Sequence, residues 1–445
     1  MATYKLFDVF TPAQPASLTY IDRVSVSKKL SRALETPGKQ IILYGHSGSG
    51  KTTLLKQKLE ELKSNKITTR CMKGMTITEI IVDAFDQLDV YYESSSESTR
   101  GNKIGGDLSA SYLGIKASLR AGKDSAIKSQ AKRAVELPIT PQTLAKFFGE
   151  AKSIWIIEDF HKIDQDEKVK LSQIMKVFMD MADKYKSLKI IAIGAVNKAR
   201  DVVHYDQEMR NRVSEIEVPL MQASELEEIM RKGCSLLNFV LPIEVIEKIA
   251  IYSSGLASVT HQLALLICEE EDIMHTLKSK RVLDKKVLKK AIEDYVGENS
   301  DTLKSVYDTA TKLVKLRKHE SPTEILTAML KNKKDSQTVR DIATTMREKF
   351  KGYKETNLRK YLEELTTSER GEILRYDDTS DTFYFSTPFI KAYAYCILYN
   401  ESEDAIVTKT KLLKELKDTL KSELEAAREQ FIRDISDDNF LISNE

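Results

Sequence analysis

The residues best suited to chemistry lie between positions 40 and 53, which read Gln-Ile-Ile-Leu-Tyr-Gly-His-Ser-Gly-Ser-Gly-Lys-Thr-Thr. An apolar run leads into G-x-x-x-x-G-K-T, and Leu54 to Leu62 follow at helical spacing. Glycine suits positions 45, 48 and 50 because backbone N–H groups can turn inward around phosphate oxygens only where no side chain obstructs the approach. In this pattern, a Walker A or P-loop, Lys51 pairs with the β- and γ-phosphates and the Thr52 hydroxyl holds Mg²⁺. The helix that follows presents its N-terminus to the anion.

A second set of groups belongs beside such a loop. Residues 153–161, Ser-Ile-Trp-Ile-Ile-Glu-Asp-Phe-His, are an apolar strand ending in two acids. Glu158 is the candidate Mg²⁺ ligand, direct or through water, and Asp159 the candidate base that polarises the attacking water. A further buried-strand run, Leu188 to Val196, ends at Asn197, which either senses the γ-phosphate or caps the next helix. Arg210 and Arg212 then precede a short strand. Arginine there suits a finger that reaches a neighbouring subunit's phosphate, since its planar fork spreads over several oxygens; the other reading is an ordinary salt bridge.

These groups need a parallel sheet to carry them. A strand near 66–71 and a helix near 76–88 continue a βα alternation, and Thr140-Pro-Gln starts a helix by the cap-then-proline rule. Between them, residues 91–133 break the pattern with a serine run, several glycines and an alternating stretch that suits a hairpin. From Glu97 to Arg133 there are eight basic residues against three acids, which suits either a solvated loop or a face for nucleic acid or a partner. Beyond Pro219 the periodicity is helical over 224–237, 242–253, 257–275 and 284–316, with a break near Gly297. Residues 320–400 then read as three helices followed by a β-ribbon, the order of a winged helix. Arg340, Arg347, Lys349, Lys351, Lys354, Arg359 and Lys360 suit phosphate contacts there, while Asp377, Asp378 and Asp381 on the ribbon oppose them. DNA contact and an architectural or protein-binding role both stand. In the tail, Leu413, Leu416, Leu420, Leu424, Ala427 and Phe431 recur at three- and four-residue steps, making an amphipathic helix that packs on its own protein or on a partner.

Residues 20–23 (Tyr-Ile-Asp-Arg), the P-loop, the Ile-Ile-Glu-Asp strand, the Asn197 strand, Arg212 and the Val218-Pro-Leu-Met-Gln-Ala-Ser-Glu-Leu segment together resemble the AAA+ and STAND branch of P-loop ATPases. The resemblance covers roughly residues 15–300. Beyond them the chain is similar to the winged-helix partner of origin-recognition proteins and STAND regulators. It implies nucleotide contacts from Gly45, His46, Ser47, Gly48, Ser49, Gly50, Lys51, Thr52 and Thr53, with Mg²⁺ near Thr52 and Glu158. It further implies water activation at Asp159, sensing at Asn197 and an intersubunit finger at Arg212. The domain scheme is then an α/β ATPase core over 1–220 with a basic insertion at about 91–134. An all-α lid at 221–318, a winged helix at 319–400 and a charged C-terminal helix at 401–445 follow it.

Two departures from the family pattern carry consequences. The family's usual acid pair is Asp then Glu, or two Asp, whereas here Glu158 precedes Asp159. That order moves both carboxylates by about a methylene, and because catalysis is sensitive to shifts of about an ångström, it points to slow hydrolysis. At the start of the lid, where many members carry Arg or Gly-x-Pro, the chain has residues 253–262, Ser-Ser-Gly-Leu-Ala-Ser-Val-Thr-His-Gln. His261 either touches phosphate or sits on a helix face.

Composition narrows the remaining choices. The chain has 445 residues, 69 Lys plus Arg against 67 Asp plus Glu, and 41% hydrophobic residues. At about 150 residues per domain this makes two to four domains with real cores, and it excludes wholesale disorder or a histone-like polyanion binder. No apolar run reaches membrane-spanning length, and the N-terminus lacks the pattern of a secretory signal. Cys71, Cys234, Cys268 and Cys396 have no metal spacing and read as free thiols in a reducing cytoplasm. No nucleophile constellation of a metabolic enzyme accompanies the P-loop. Two functions fit: an ATP-driven homo-oligomeric switch engaging DNA or a partner protein, for example in DNA transactions or anti-phage defence, or a binding adaptor in which nucleotide is mainly structural.

Overall fold

The computed structural model describes residues 2–98, 140–196, 199, 207–299, 301–312, 319–332 and 334–398, with the backbone alone for 89–98 and 207. Asn197, the greater part of the basic insertion and the C-terminal helix lie outside the described residues. The chain divides into two compact units, Met1–Lys285 and Lys286–Glu445.

The first unit is built on five parallel strands: β1 (Gln40–Tyr44), β2 (Asn65–Arg70), β3 (Ser153–Glu158), β4 (Ile190–Gly194) and β5 (Val213–Glu217), in the order β2-β3-β4-β1-β5. Strands covered on both faces must be apolar on both, and these alternate between two cores. Ile41, Leu43, Ile154, Ile156, Ile191 and Ile193 face one, while Ile42, Trp155, Ile157, Ile190 and Ala192 face the other. Trp155 stacks on Phe148 and donates its indole N–H to Thr69 at 3.2 Å, which joins β3 to β2 inside the core. Helices α2 (Val24–Glu35), α3 (Lys51–Glu61), α4 (Ile77–Ser98), α5 (Pro141–Glu150) and α6 (Gln165–Asp180) accompany the sheet. Thr140 caps α5 by accepting from the Thr143 N–H, with Pro141 at the first helical position, as the sequence predicts.

α4 differs from expectation. It continues ten residues past Leu88 and through the serine run at 94–96, where the sequence reads as a break. Serine in a helix costs only about half a kcal/mol against alanine, which a helix already propagating tolerates.

The rest of this unit is helical: α7 (Ala223–Leu237), α8 (Ile243–Tyr252) and α9 (Ala257–Glu270), with a two-stranded parallel pair, β6 (Phe239–Val240) and β7 (Arg281–Val282). α9 stops at Glu270 rather than 275, because Asp272 turns left-handed and the chain leaves to pair with the N-terminal segment. There Leu6, in α1 (Leu6–Val9), donates its N–H to the Met274 carbonyl at 2.9 Å, and the Thr276 N–H donates to Tyr4 at 3.0 Å. Phe10 is fully buried over Gly233, where a Cβ would collide with its ring.

The second unit begins with α10 (Val287–Glu298) and α11 (Thr302–Thr311). Three helices follow, α12 (Pro322–Lys331), α13 (Val339–Lys349) and α14 (Leu358–Glu364), and then an antiparallel hairpin of β8 (Leu374–Asp377) and β9 (Thr382–Phe385). Gln337 bridges to Phe383, adding a third extended segment beside the hairpin. Thr338 and Asp341 form a capping box on α13. Ile325, Leu326, Met329, Ile342, Met346, Leu358, Leu362 and Phe383 are buried. Among the described residues no helix is long and apolar enough to cross a membrane, and the four cysteines are free and buried.

Candidate nucleotide site

The carboxyl ends of β1, β3 and β4 converge on one cavity of about 350 Å³, the usual place for a ligand on an open parallel sheet. Its floor comes from Ser47, Gly48, Gly50, Lys51, Thr52 and Thr53, and one wall from Glu158 and Asp159. Its roof comes from residues 11–16 of the N-terminal segment and from Ala257, Ser258 and His261 of α9.

Local backbone demands explain the glycines. Gly45, Gly48 and Gly50 have φ of 143°, 76° and 87°, a region that L side chains rarely adopt. At Gly45 a Cβ would collide with the Val218 carbonyl oxygen, whereas at Gly50 it would meet nothing within 4 Å. Gly50 is therefore needed for its dihedral angle, and the space beside it is open.

Lys51 is 8% exposed and donates to the carbonyls of Gly45 at 3.0 Å and His46 at 2.6 Å. Burial lowers its pKa to about 8, and the Asp159 carboxylate works in the opposite direction. An ammonium held only by backbone carbonyls gains from the arrival of a polyanion. The loop itself is clamped from behind by Arg23, which donates to the carbonyls of Ser49 and Leu220, both at 3.2 Å, and lies 3.7 Å from Glu225. Burial lowers the Arg23 pKa, opposed by Glu225.

Both acids carry cation partners. Parallel register sets Arg70 beside Glu158, and the guanidinium donates to the carboxylate at 3.2 Å; the arginine side chain is 83% exposed and the glutamate 18%. Asp159, in the left-handed region at φ 57°, accepts from Lys162 at 2.7 Å. His161 accepts the Ala195 N–H at Nδ1, 3.3 Å away, joining the ends of β3 and β4, and burial lowers its pKa.

The structure thus brings together the P-loop, Lys51, Thr52, Glu158 and Asp159. Arg212 stands elsewhere, 2.7 Å from Asp180 of its own chain and about half exposed. Asn197 is outside the described residues. His261 is 2% exposed, so it is a buried residue that also lines the cavity. Sequence reasoning missed Arg70, Lys162, Ser258 and the segment 11–16. Lys162 is three residues from Asp159 and was legible in principle, whereas the others depend on strand register or contacts some 250 residues apart.

Residues 36–203 match the family described as AAA domain. Over this segment the chain is similar to AAA-domain P-loop ATPases. The surrounding chain is similar to three solved structures. A Walker-type ATPase of Pyrococcus abyssi is 16% identical, with 85% of this chain and 99% of that one covered and a TM-score of 0.43. Cdc6p from Pyrobaculum aerophilum is 13% identical, with 89% and 98% covered and a TM-score of 0.40. The RuvB Holliday junction branch migration motor of Thermotoga maritima is 15% identical, with 82% and 92% covered and a TM-score of 0.38. No curated protein sequence matches the chain.

The donor set around the AAA segment's cavity fits nucleotide and metal. Thr52, Glu158 and Asp159 offer hard oxygens of the kind Mg²⁺ selects, and the left-handed glycines let the loop turn its N–H groups toward phosphate, apart from those of Gly45 and Ser49, which donate to the Val196 and His46 carbonyls.

Proposed function

We propose that the chain is an Mg²⁺-dependent ATPase switch that couples nucleotide state to assembly and to engagement of DNA or a partner protein. The single observation that carries this is the convergence of Lys51, Thr52, Glu158 and Asp159 on one cavity roofed by the helical lobe. Gly45 to Thr53 hold the phosphates through the backbone N–H groups that the fold does not itself engage, and Lys51 supplies the charge. Thr52 and Glu158 hold Mg²⁺, which neutralises charge on the phosphates when bound. Asp159 accepts the proton of the attacking water once Lys162 releases it, and Asn197 orients that water. A titration with ATP and Mg²⁺, with turnover measured beside it, tests the reading; wild-type chain that neither binds nor hydrolyses ATP ends it.

The domain scheme of core, lid at 221–318, winged helix at 319–400 and C-terminal helix at 401–445 belongs to the same proposal. Three helices, a hairpin and the Gln337–Phe383 bridge support the winged helix. For DNA contact the available cations are Arg340, Lys351, Lys354 and Lys360, which have no ion pair among the described residues. Arg347, Lys349 and Arg359 are taken by Glu355, Glu324 and Asp381. Binding to duplex DNA should weaken with salt, with a slope of about one logarithmic unit per phosphate contact. The C-terminal helix is assigned to a protein partner.

Arg212 acts on a neighbouring copy's site after leaving Asp180. Mixing Arg212→Ala chains with Lys51→Ala chains should then recover activity, because one interface holds both good halves. A monomeric mass with ATP and no recovery would overturn the homo-oligomer.

A second reading has its own support. The pairs Arg70–Glu158 and Lys162–Asp159 occupy both acids, which favours slow turnover and an adaptor whose nucleotide is largely structural. Turnover with and without duplex DNA separates the two.

A further inference from the structure

The roof of the cavity differs chemically from its floor. Among the lining residues Lys51 is the one cation and it belongs to the floor, while the roof offers Thr11, Gln14, Ser258 and His261. The Thr11 N–H donates to His261 Nδ1 at 2.9 Å, so the ring keeps its proton on Nε2. Burial lowers the ring's pKa to about 4, which leaves it neutral. Nε2–H finds no hydrogen-bond partner among the described residues. Ser258 stands three residues earlier on α9 and so shares the face of His261. The hydroxyls of Thr11 and Ser258 are buried with no hydrogen-bond partner. Buried donors and acceptors left unmatched in a native fold call for a polar ligand or water.

A smaller cavity of about 50 Å³ adjoins the first and identifies which end of a nucleotide meets this roof. Its lining sets the apolar Ile21, Leu54, Met221 and Ile229 beside Thr19, Tyr20 and Arg23. It shares Ala16, Gly50, Thr53, Ala257 and His261 with the larger cavity but neither acid. His261 therefore stands where the space beside the P-loop and both acids passes into a smaller, less polar one, the direction in which a nucleotide's base would extend. The group between phosphate and base is the sugar.

We propose that Thr11, Ser258 and His261 form an uncharged hydrogen-bonding wall that reads the ribose of the bound nucleotide through its vicinal hydroxyls, an inference that rests on the nucleotide reading above. Two hydroxyls that both donate and accept, with one N–H donor, match a diol that also donates and accepts; a phosphate would call for cations instead. The consequence is a site selective for ribonucleotides whose roof is indifferent to the γ-phosphate.

Calorimetric titration of the full chain with ATP, 2′-deoxy-ATP and 3′-deoxy-ATP in Mg²⁺ tests this without reference to turnover. Loss of either hydroxyl should weaken binding about tenfold. Ser258→Ala and Thr11→Val, which keep the backbone N–H that His261 accepts, should bring the deoxy forms within about twofold of ATP. Equal wild-type affinity for all three nucleotides overturns the proposal, as does a preference unchanged in both variants. Wild-type chain that binds none of the three overturns the nucleotide reading itself, a separate result.

Discussion

The cations of the two units live in opposite circumstances. In the first, Lys51 is buried, held by two carbonyls and part of a cavity's lining. In the second, Arg359 lies in the open, paired with Glu363 and Asp381, bonded to the Tyr376 hydroxyl and 5.5 Å from that ring's centre. A desolvated charge has lost its water and gains greatly from an incoming anion, whereas an exposed pair is screened and already satisfied. Basic residues of similar count in a sequence therefore carry unequal functional weight.

The comparison is broken most severely at Lys51. Lys51→Ala should abolish turnover and weaken ATP binding about a hundredfold, as loss of a desolvated charge partner does; unchanged affinity by calorimetry would remove Lys51 from the site. Asp159→Asn should bind ATP normally and hydrolyse it about a thousandfold more slowly in a steady-state phosphate-release assay. Should Glu158→Gln alone remove turnover with Mg²⁺-ATP binding intact, the roles within the acid pair are reversed.

Acidity sharpens the contrast at intermediate magnitude. A lysine whose pKa falls to about 8 on folding is charged below that value and neutral above it. ATP affinity should hold steady from pH 7 to about 8 and then fall up to about tenfold per unit. The nucleotide-free protein behaves oppositely. Between about 8 and the ordinary lysine value the unfolded chain binds more protons than the folded one, so stability contributed at Lys51 rises with pH. The difference between urea melts of wild type and Lys51→Ala across pH 7.5–10 should show that rise, since Lys189, also lowered to about 8 by burial, contributes to both alike.

The smallest effect belongs to the second unit. Arg359→Ala should leave the midpoint of a denaturant melt nearly unchanged, since exposed, screened pairs contribute little. A larger loss would mean that the link between α14 and the hairpin through Arg359, Asp381 and Tyr376 holds the module together.

What the sequence made legible was local. The P-loop, the acid-ended strand and the cap at Thr140 each need only neighbours within a few residues, and each stands as read. Order α12, α13, α14, hairpin was legible for the same reason. The Arg70–Glu158 pair was not, because only the register of β2 on β3 brings those positions together. Nor was the roof, whose Thr11–His261 bond spans 250 residues. The helix-ending turn at Asp272 was masked by an apolar periodicity that continues to Met274.

The attachment of the N-terminal segment also bears on how the protein is made. Tyr4 bonds Thr276 across 272 residues, and Phe10 seats over Gly233. At roughly 5 to 20 residues per second, a ribosome needs about fifteen seconds to a minute to deliver the second half of that contact. The parallel sheet and its phosphate loop can form within that interval, but the roof cannot close. A growing chain thus passes through a stage in which the cradle is complete and open on one side, with Phe10 exposed and no Gly233 yet available to receive it.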